Sequence, residues 1–277
     1  MHRSIDTYDG ISIAQVAIYA PCFVAAVYLG FKHGFRKSSG WYFLIVLSLA
    51  RIIGSSLRLA SISDATNVNL YIGWLTLNSL GLSPLILTLL GLLGRIIEGI
   101  NRGGQMLVQP KYRKLIDLLL LVAMILSIVG GTKSTYTITP TGTSIHYDEL
   151  VRVSVGMMIG GFVLLVLEAL LVASRRNLIE DGENRILLAV FLALPFVLVR
   201  LIYSGLKVFG NSSGSVWEYL GLSVIMEIIA VVICLGFGLT LHVVPQTPKG
   251  DRYEMVGLAE GTSSADYSYR SQRQSHV

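Results

Sequence analysis

The sequence predicts an all-α polytopic membrane protein, a seven-transmembrane-helix bundle with its N-terminus outside and its C-terminus in the cytosol. Three observations predict it. The 277-residue chain is 53% hydrophobic and 14% charged, where a soluble domain carries about 25% charged residues. Seven apolar runs each reach or approach the roughly 20 helical residues that cross a bilayer core. The Lys and Arg residues between those runs fall mainly in alternate connections, as the positive-inside rule requires. Together these exclude a disordered chain, a nucleic-acid-binding domain and an ordinary soluble enzyme. The formal net charge of +5 is then a topology signal and an attraction to anionic inner-leaflet lipid.

The runs are 11–31, 41–60, 70–95, 115–132, 150–173, 185–207 and 217–243. Asp6 and Asp9 precede the first, where a cleaved signal peptide carries positive charge, so the first run is read as a retained span. The second carries Arg51 and Arg58, seven apart and so on one face. The third holds Asn78, Gly81, Ser83 and Pro84. The fourth is the shortest, with Asp117 as a first-turn acid suited to the helix dipole. The fifth carries Glu168, expected to pair with a loop charge such as Arg175, and the Gly156/Gly160 pair of a close-approach motif. The sixth places Arg200, Tyr203 and Lys207 at i, i+3 and i+7, again one face, and the seventh carries Glu218 and Glu227. Pro84 and Pro195 are expected to kink their helices. The division is an extracellular segment 1–10, a membrane domain 11–244 and a cytosolic tail 245–277. The tail's Ser, Tyr, Arg and Gln content beyond Gly261 predicts disorder.

Orientation rests on two sets of connections. Lys32, Arg36, Lys37, Arg95, Arg102, Lys111, Arg113, Lys114, Arg175, Arg176 and Arg185 lie on one side with the basic tail. Only Arg3 and Lys133, with Arg152 and Lys207 at span ends, lie on the other. Trp41, Trp74 and Trp217 fall near span ends, where interfacial rings sit. Cys22 and Cys234 fall inside spans at different depths, which predicts two unbridged thiols. Asn211-Ser212-Ser213 is a glycosylation sequon in a short outer loop, expected to stay unmodified.

No HExxH, CxxC or phosphate-loop pattern occurs, and the five His residues form no metal spacing, so no cofactor or metal is predicted. The last span has no Lys for a retinal Schiff base, and the Asp-Arg-Tyr and Asn-Pro-x-x-Tyr receptor signatures are missing. The pointers to function are the ionisable residues inside the spans, each costing about 2.5–3.5 kcal/mol at mid-membrane. Counting from the loops places Arg51, Arg200 and Glu227 at similar heights with Asn78 close by. Two guanidinium groups against one carboxylate leave a positive excess, able to receive an anionic headgroup or carboxylate. The same residues also suit a purely structural role as polar glue between helices. Arg58, Lys207 and Glu218 are read as end-of-helix side chains that snorkel to the interface.

Ala50-Arg51-Ile52-Ile53-Gly54, Asn78-Ser79-Leu80-Gly81-Leu82-Ser83-Pro84-Leu85, Met226-Glu227 and the His33-Gly34 pair resemble a fungal family of seven-span membrane proteins of unknown function. The resemblance covers residues 11 to about 244. The chain is more distantly similar to the RTA-like lipid-translocating exporters. Arg200 and Tyr203 match part of that group's Arg-x-x-Tyr-Arg element, and Glu227 stands at its acid position. Ser204 replaces the second Arg, and Val243 and Val244 separate His242 from Pro245. That similarity implies lipid translocation.

The leading expectation is binding or translocation of a lipid or amphipathic small molecule at a polar site in the outer half. Arg51, Asn78, Arg200 and Tyr203 would hold it, and Glu227 would balance or gate it. The expected partners are membrane lipid and a lipid-like or anionic small molecule, with no nucleic acid and any cytosolic partner left open. The plasma membrane is the expected home. A receptor-like sensor and a small membrane enzyme such as a terpene cyclase are the alternatives.

Overall fold

The computed structural model describes residues 5–33, 39–64, 67–102, 107–139, 142–178, 183–210 and 215–240. The 245–277 tail and the sequon at Asn211 lie outside the described residues. The order is α1 (Thr7–His33), α2 (Ser39–Ser63), α3 (Val68–Ser79), α4 (Leu82–Arg102), α5 (Pro110–Lys133), β1 (Thr135–Thr139), β2 (Gly142–His146) and α6 (Glu149–Ser174). A 3-10 turn (Arg176–Leu178), α7 (Asn184–Phe209), α8 (Val216–Glu218), a π-helical stretch (Tyr219–Ile225) and α9 (Met226–Thr240) follow. Grouped by length and hydropathy they make seven spans, with α3 and α4 forming the third and Val216–Thr240 the seventh. The bundle is therefore an all-α membrane domain. Its one strand pair among the described residues is the antiparallel hairpin β1–β2 between spans four and five.

Span three is the axis. Of its apolar window 94% is buried, against 33% for span one and 28% for span four. Leu85, Ile86, Leu89, Leu90, Leu93 and Ile96 of α4 are all fully buried. The lipid-facing spans instead expose large apolar side chains such as Val24, Leu118, Leu167 and Ile202, as a bilayer solvent allows.

Four expectations are corrected. Pro84 does not kink a continuous helix. The helix stops at Leu80–Gly81, and Pro84 is the third residue of α4, where a missing N–H costs nothing. Asp117 is not a first-turn cap, because α5 begins at Pro110 and Asp117 sits half-buried in its third turn. Trp41 is not an interfacial ring; it is 1% exposed in the core. A Cβ at Gly238 would collide with that indole, so glycine there makes the seat for the ring. Gly156 and Gly160 bring no helices together among the described residues, since an added Cβ at either meets nothing within 4 Å. Helix α7 runs unbroken through Pro195. Cys22 and Cys234 are free thiols, as expected.

Spans one and two pack through polar stripes rather than an apolar seam. Asp9, Ser12, Gln15 and Tyr19 recur at helical spacing on α1 and are all buried. Opposite them on α2, Arg51, Ser55 and Arg58 are equally buried. Ser55 Oγ donates to Gln15 Oε1 at 3.0 Å. Between helices in lipid such polar pairs supply register that apolar contact alone does not.

Candidate functional site

The break in span three, the polar face of α2, the last half of α7 and the π-helical stretch of span seven converge on Glu227. This carboxylate is 1% exposed and takes four donors. Arg51 forks onto it, Nε to Oε1 at 2.5 Å and Nη2 to Oε2 at 2.7 Å. The Tyr19 hydroxyl donates to Oε1 at 2.5 Å. Arg200 Nη2 reaches Oε2 at 2.8 Å. A carboxylate has about four acceptor positions, so Glu227 is saturated.

The remaining guanidinium nitrogens are nearly used up as well. Arg51 Nη1 donates to Asn78 Oδ1, which also accepts from the Tyr219 hydroxyl at 2.9 Å. Arg200 Nη1 donates to the Ser223 carbonyl at 2.9 Å and to Ser223 Oγ at 2.7 Å. Of the nitrogens of these two guanidinium groups, Arg200 Nε is the one buried without a hydrogen-bond partner among the described residues. The winding explains the gathering. Tyr219, Ser223 and Glu227 are four apart, and the wider i→i+5 turns of Tyr219–Ile225 keep them closer to one line than an α-helix would. Gly81 provides the room: an added Cβ there would collide with Arg51 Nη2 and come within 2.5 Å of Glu227 Oε2 and 2.8 Å of Arg200 Nη2.

Two cations against one anion leave the cluster with a formal excess of one positive charge. On its hairpin side it borders a cavity of about 90 Å³. Asn78, Arg200, Tyr203, Ser204, Lys207 and Tyr219 form the polar wall, and Leu75, Leu82, Val151, Val155, Met158 and Val208 an apolar one. The Tyr203 hydroxyl is buried there without a hydrogen-bond partner. Lys207 is half-buried, with Nζ 5.7 Å from the centre of the Tyr203 ring. It lines the cavity and does not simply reach for the interface.

Arg51, Asn78, Arg200 and Glu227 thus meet in one network, and Tyr203 stands on the adjoining cavity wall. Three members were missed: Tyr19, Tyr219 and Ser223. The polar stripe on span one was the available signal for Tyr19, and the four-residue step back from Glu227 was the signal for Ser223.

A second buried arginine differs from expectation. Arg58 does not snorkel; its side chain is 3% exposed. Nε donates to Asp9 Oδ1 at 3.0 Å and Nη2 to Asp6 Oδ2 at 2.6 Å. The guanidinium also lies 4.5 Å from the Trp74 ring centre, 5.3 Å from Tyr71 and 5.5 Å from Tyr8. Glu218 likewise has a local task, closing a capping box with Ser215 at the start of span seven. Glu168 lies nearest Arg113, at 3.8 Å, and not Arg175. Starting α5 at Pro110 carries Arg113 into the bundle.

The chain belongs to the DUF7702 family, a domain of unknown function that matches residues 5–244. No curated protein matches it.

Proposed function

We propose that this multi-pass membrane protein binds, and in its working cycle translocates, a lipid or amphipathic small molecule with an anionic head. The observation that carries the reading is the uncompensated positive charge of Arg51, Arg200 and Glu227 beside a half-apolar cavity, with the Arg200 Nε–H buried and unpaired at its edge. A buried guanidinium donor without a partner is costly in a low-dielectric setting. An anionic ligand removes that cost and neutralises the excess. Arg200 is the contact residue in this reading; Arg51, Asn78, Tyr19 and Glu227 hold its geometry, and Glu227 is the counter-ion.

Further parts of the reading rest on sequence. The charge of the connections supports an outside N-terminus, a cytosolic tail and the plasma membrane, and puts the cavity in the outer half. The motif resemblance supports a fungal source and a distant tie to lipid-translocating exporters.

The test is mass spectrometry of small molecules co-purifying with the full chain, compared with Arg200→Ala and Glu227→Gln preparations that remain monodisperse. A species enriched with wild type and lost from both variants supports binding. Identical small-molecule profiles from all three folded proteins would make the network purely structural.

A further inference from the structure

The cavity restricts the ligand more than its charge alone does. We propose that the ligand is a single-chain monocarboxylate, an amphiphile of the fatty-acid kind, with its carboxylate seated between Arg200 Nε, the Tyr203 hydroxyl and Lys207 Nζ. This rests on the anionic-amphiphile reading above and narrows it to one head chemistry.

The donor inventory comes first. Arg51 has no nitrogen to spare, because Glu227 and Asn78 take all three. On Arg200 it is Nε that is buried without a hydrogen-bond partner. The incoming head is therefore received at Nε. It meets one N–H of Arg200 and one O–H of Tyr203, both buried and unpartnered. Lys207 adds an ammonium that makes no hydrogen bond or ion pair among the described residues. The three groups sit at i, i+3 and i+7 of α7 and face one cavity. Lys207 folds back over the Tyr203 ring, which brings its charge toward Arg200 and away from the membrane surface. Three convergent donor groups suit the two oxygens of a carboxylate.

Charge agrees with this count. The Arg51–Arg200–Glu227 cluster has an excess of one and Lys207 adds a second positive charge to the cavity wall, so the seat favours an anionic head over a neutral or cationic one. Size agrees too. A cavity of about 90 Å³ holds a few waters' worth of matter. That is room for a carboxylate and its first methylenes. The wall opposite the donors, Val151, Val155 and Met158 of α6, is apolar and suits an alkyl chain leaving the head.

The purified full chain in detergent is titrated with the fluorescent probe cis-parinaric acid, followed by competition with palmitate, hexadecanol, lysophosphatidate and sphingosine. Palmitate displaces the probe, and hexadecanol and sphingosine do not. Tyr203→Phe and Lys207→Met each weaken probe binding about tenfold, the effect of losing one charge-assisted hydrogen bond. Both variants keep the wild-type melting temperature, because neither side chain makes a hydrogen bond or ion pair within the Glu227 network and each replacement keeps the packing bulk. Displacement by lysophosphatidate but not by palmitate would overturn the carboxylate assignment and leave the anionic-amphiphile reading standing. Unchanged probe affinity in both variants would overturn the seat. No binding of either anion, with no co-purifying species lost on Arg200→Ala, would overturn both.

Discussion

Arg51 and Arg58 are neighbours on one face of one helix, yet the structure treats them in opposite ways. Around Arg58, two carboxylates face one guanidinium, and the rings of Tyr8, Tyr71 and Trp74 close over it. Around Arg51, one carboxylate is shared with a second guanidinium, a donor is left over and a cavity lies alongside. The first is packed under three rings and has carboxylates on its guanidinium at the start of span one. The second borders a cavity and has two guanidinium groups on one carboxylate. A buried arginine is therefore no pointer to function by itself. What counts is whether its neighbourhood balances and closes, or leaves charge and space together.

The comparison breaks first at Glu227. Replacing it with Leu strands two buried guanidinium groups, and loss of one partner of a buried pair costs about 3–5 kcal/mol. The expected outcome is collapse of the melting transition in detergent, read by thermal unfolding and by yield of monodisperse protein. Arg58→Met comes next, at about 3 kcal/mol, because it removes the Arg58 ion pair from the wholly buried Asp9. Probe affinity in the surviving folded fraction should match wild type; a tenfold loss would show that the two arginine sites are not separable. Gly81→Ala should cost about 1–3 kcal/mol by overpacking. It should also weaken ligand binding, since the added methyl presses on Arg51, Arg200 and Glu227 together. The smallest effect expected is that of Tyr219→Phe. It removes one hydrogen bond to Asn78 and lowers stability by about 1 kcal/mol, measurable as a small shift in melting temperature.

Much of this was legible in the sequence for a simple reason. In lipid, composition and length nearly determine a span, and a charge within a span stands out against its surroundings. Counting from the span ends was enough to bring Arg51, Asn78, Arg200 and Glu227 to one level. Tyr19 escaped because a phenol inside an apolar run reads like any other aromatic; only a carboxylate from span seven makes its hydroxyl matter. Arg58 was misread because closeness to a helix end was taken for access to the interface. The partners that bury it come from the first turn of α1, from Asp6 just before it, and from span three. The break at Leu80–Gly81 was hidden behind Pro84, a stronger local signal that turned out to begin a helix. Trp41 was misplaced because its height in the membrane says nothing of whether it faces lipid or a glycine on another helix.

The sequence separation of the two arginine pairs bears on how the chain is made. Arg58 and Asp9 are 49 residues apart, so Arg58 follows a partner already synthesised. Arg51 and Glu227 are 176 residues apart. At about 5–20 residues per second of translation, Arg51 waits roughly 9–35 seconds for its carboxylate. Spans three to six are added through that interval with Arg51 lacking Glu227, and Arg200 joins it for the last 27 residues. Span seven is in this sense the last stone of the arch, and a nascent chain stopped before it exposes uncompensated charge to the surveillance of the membrane that receives it.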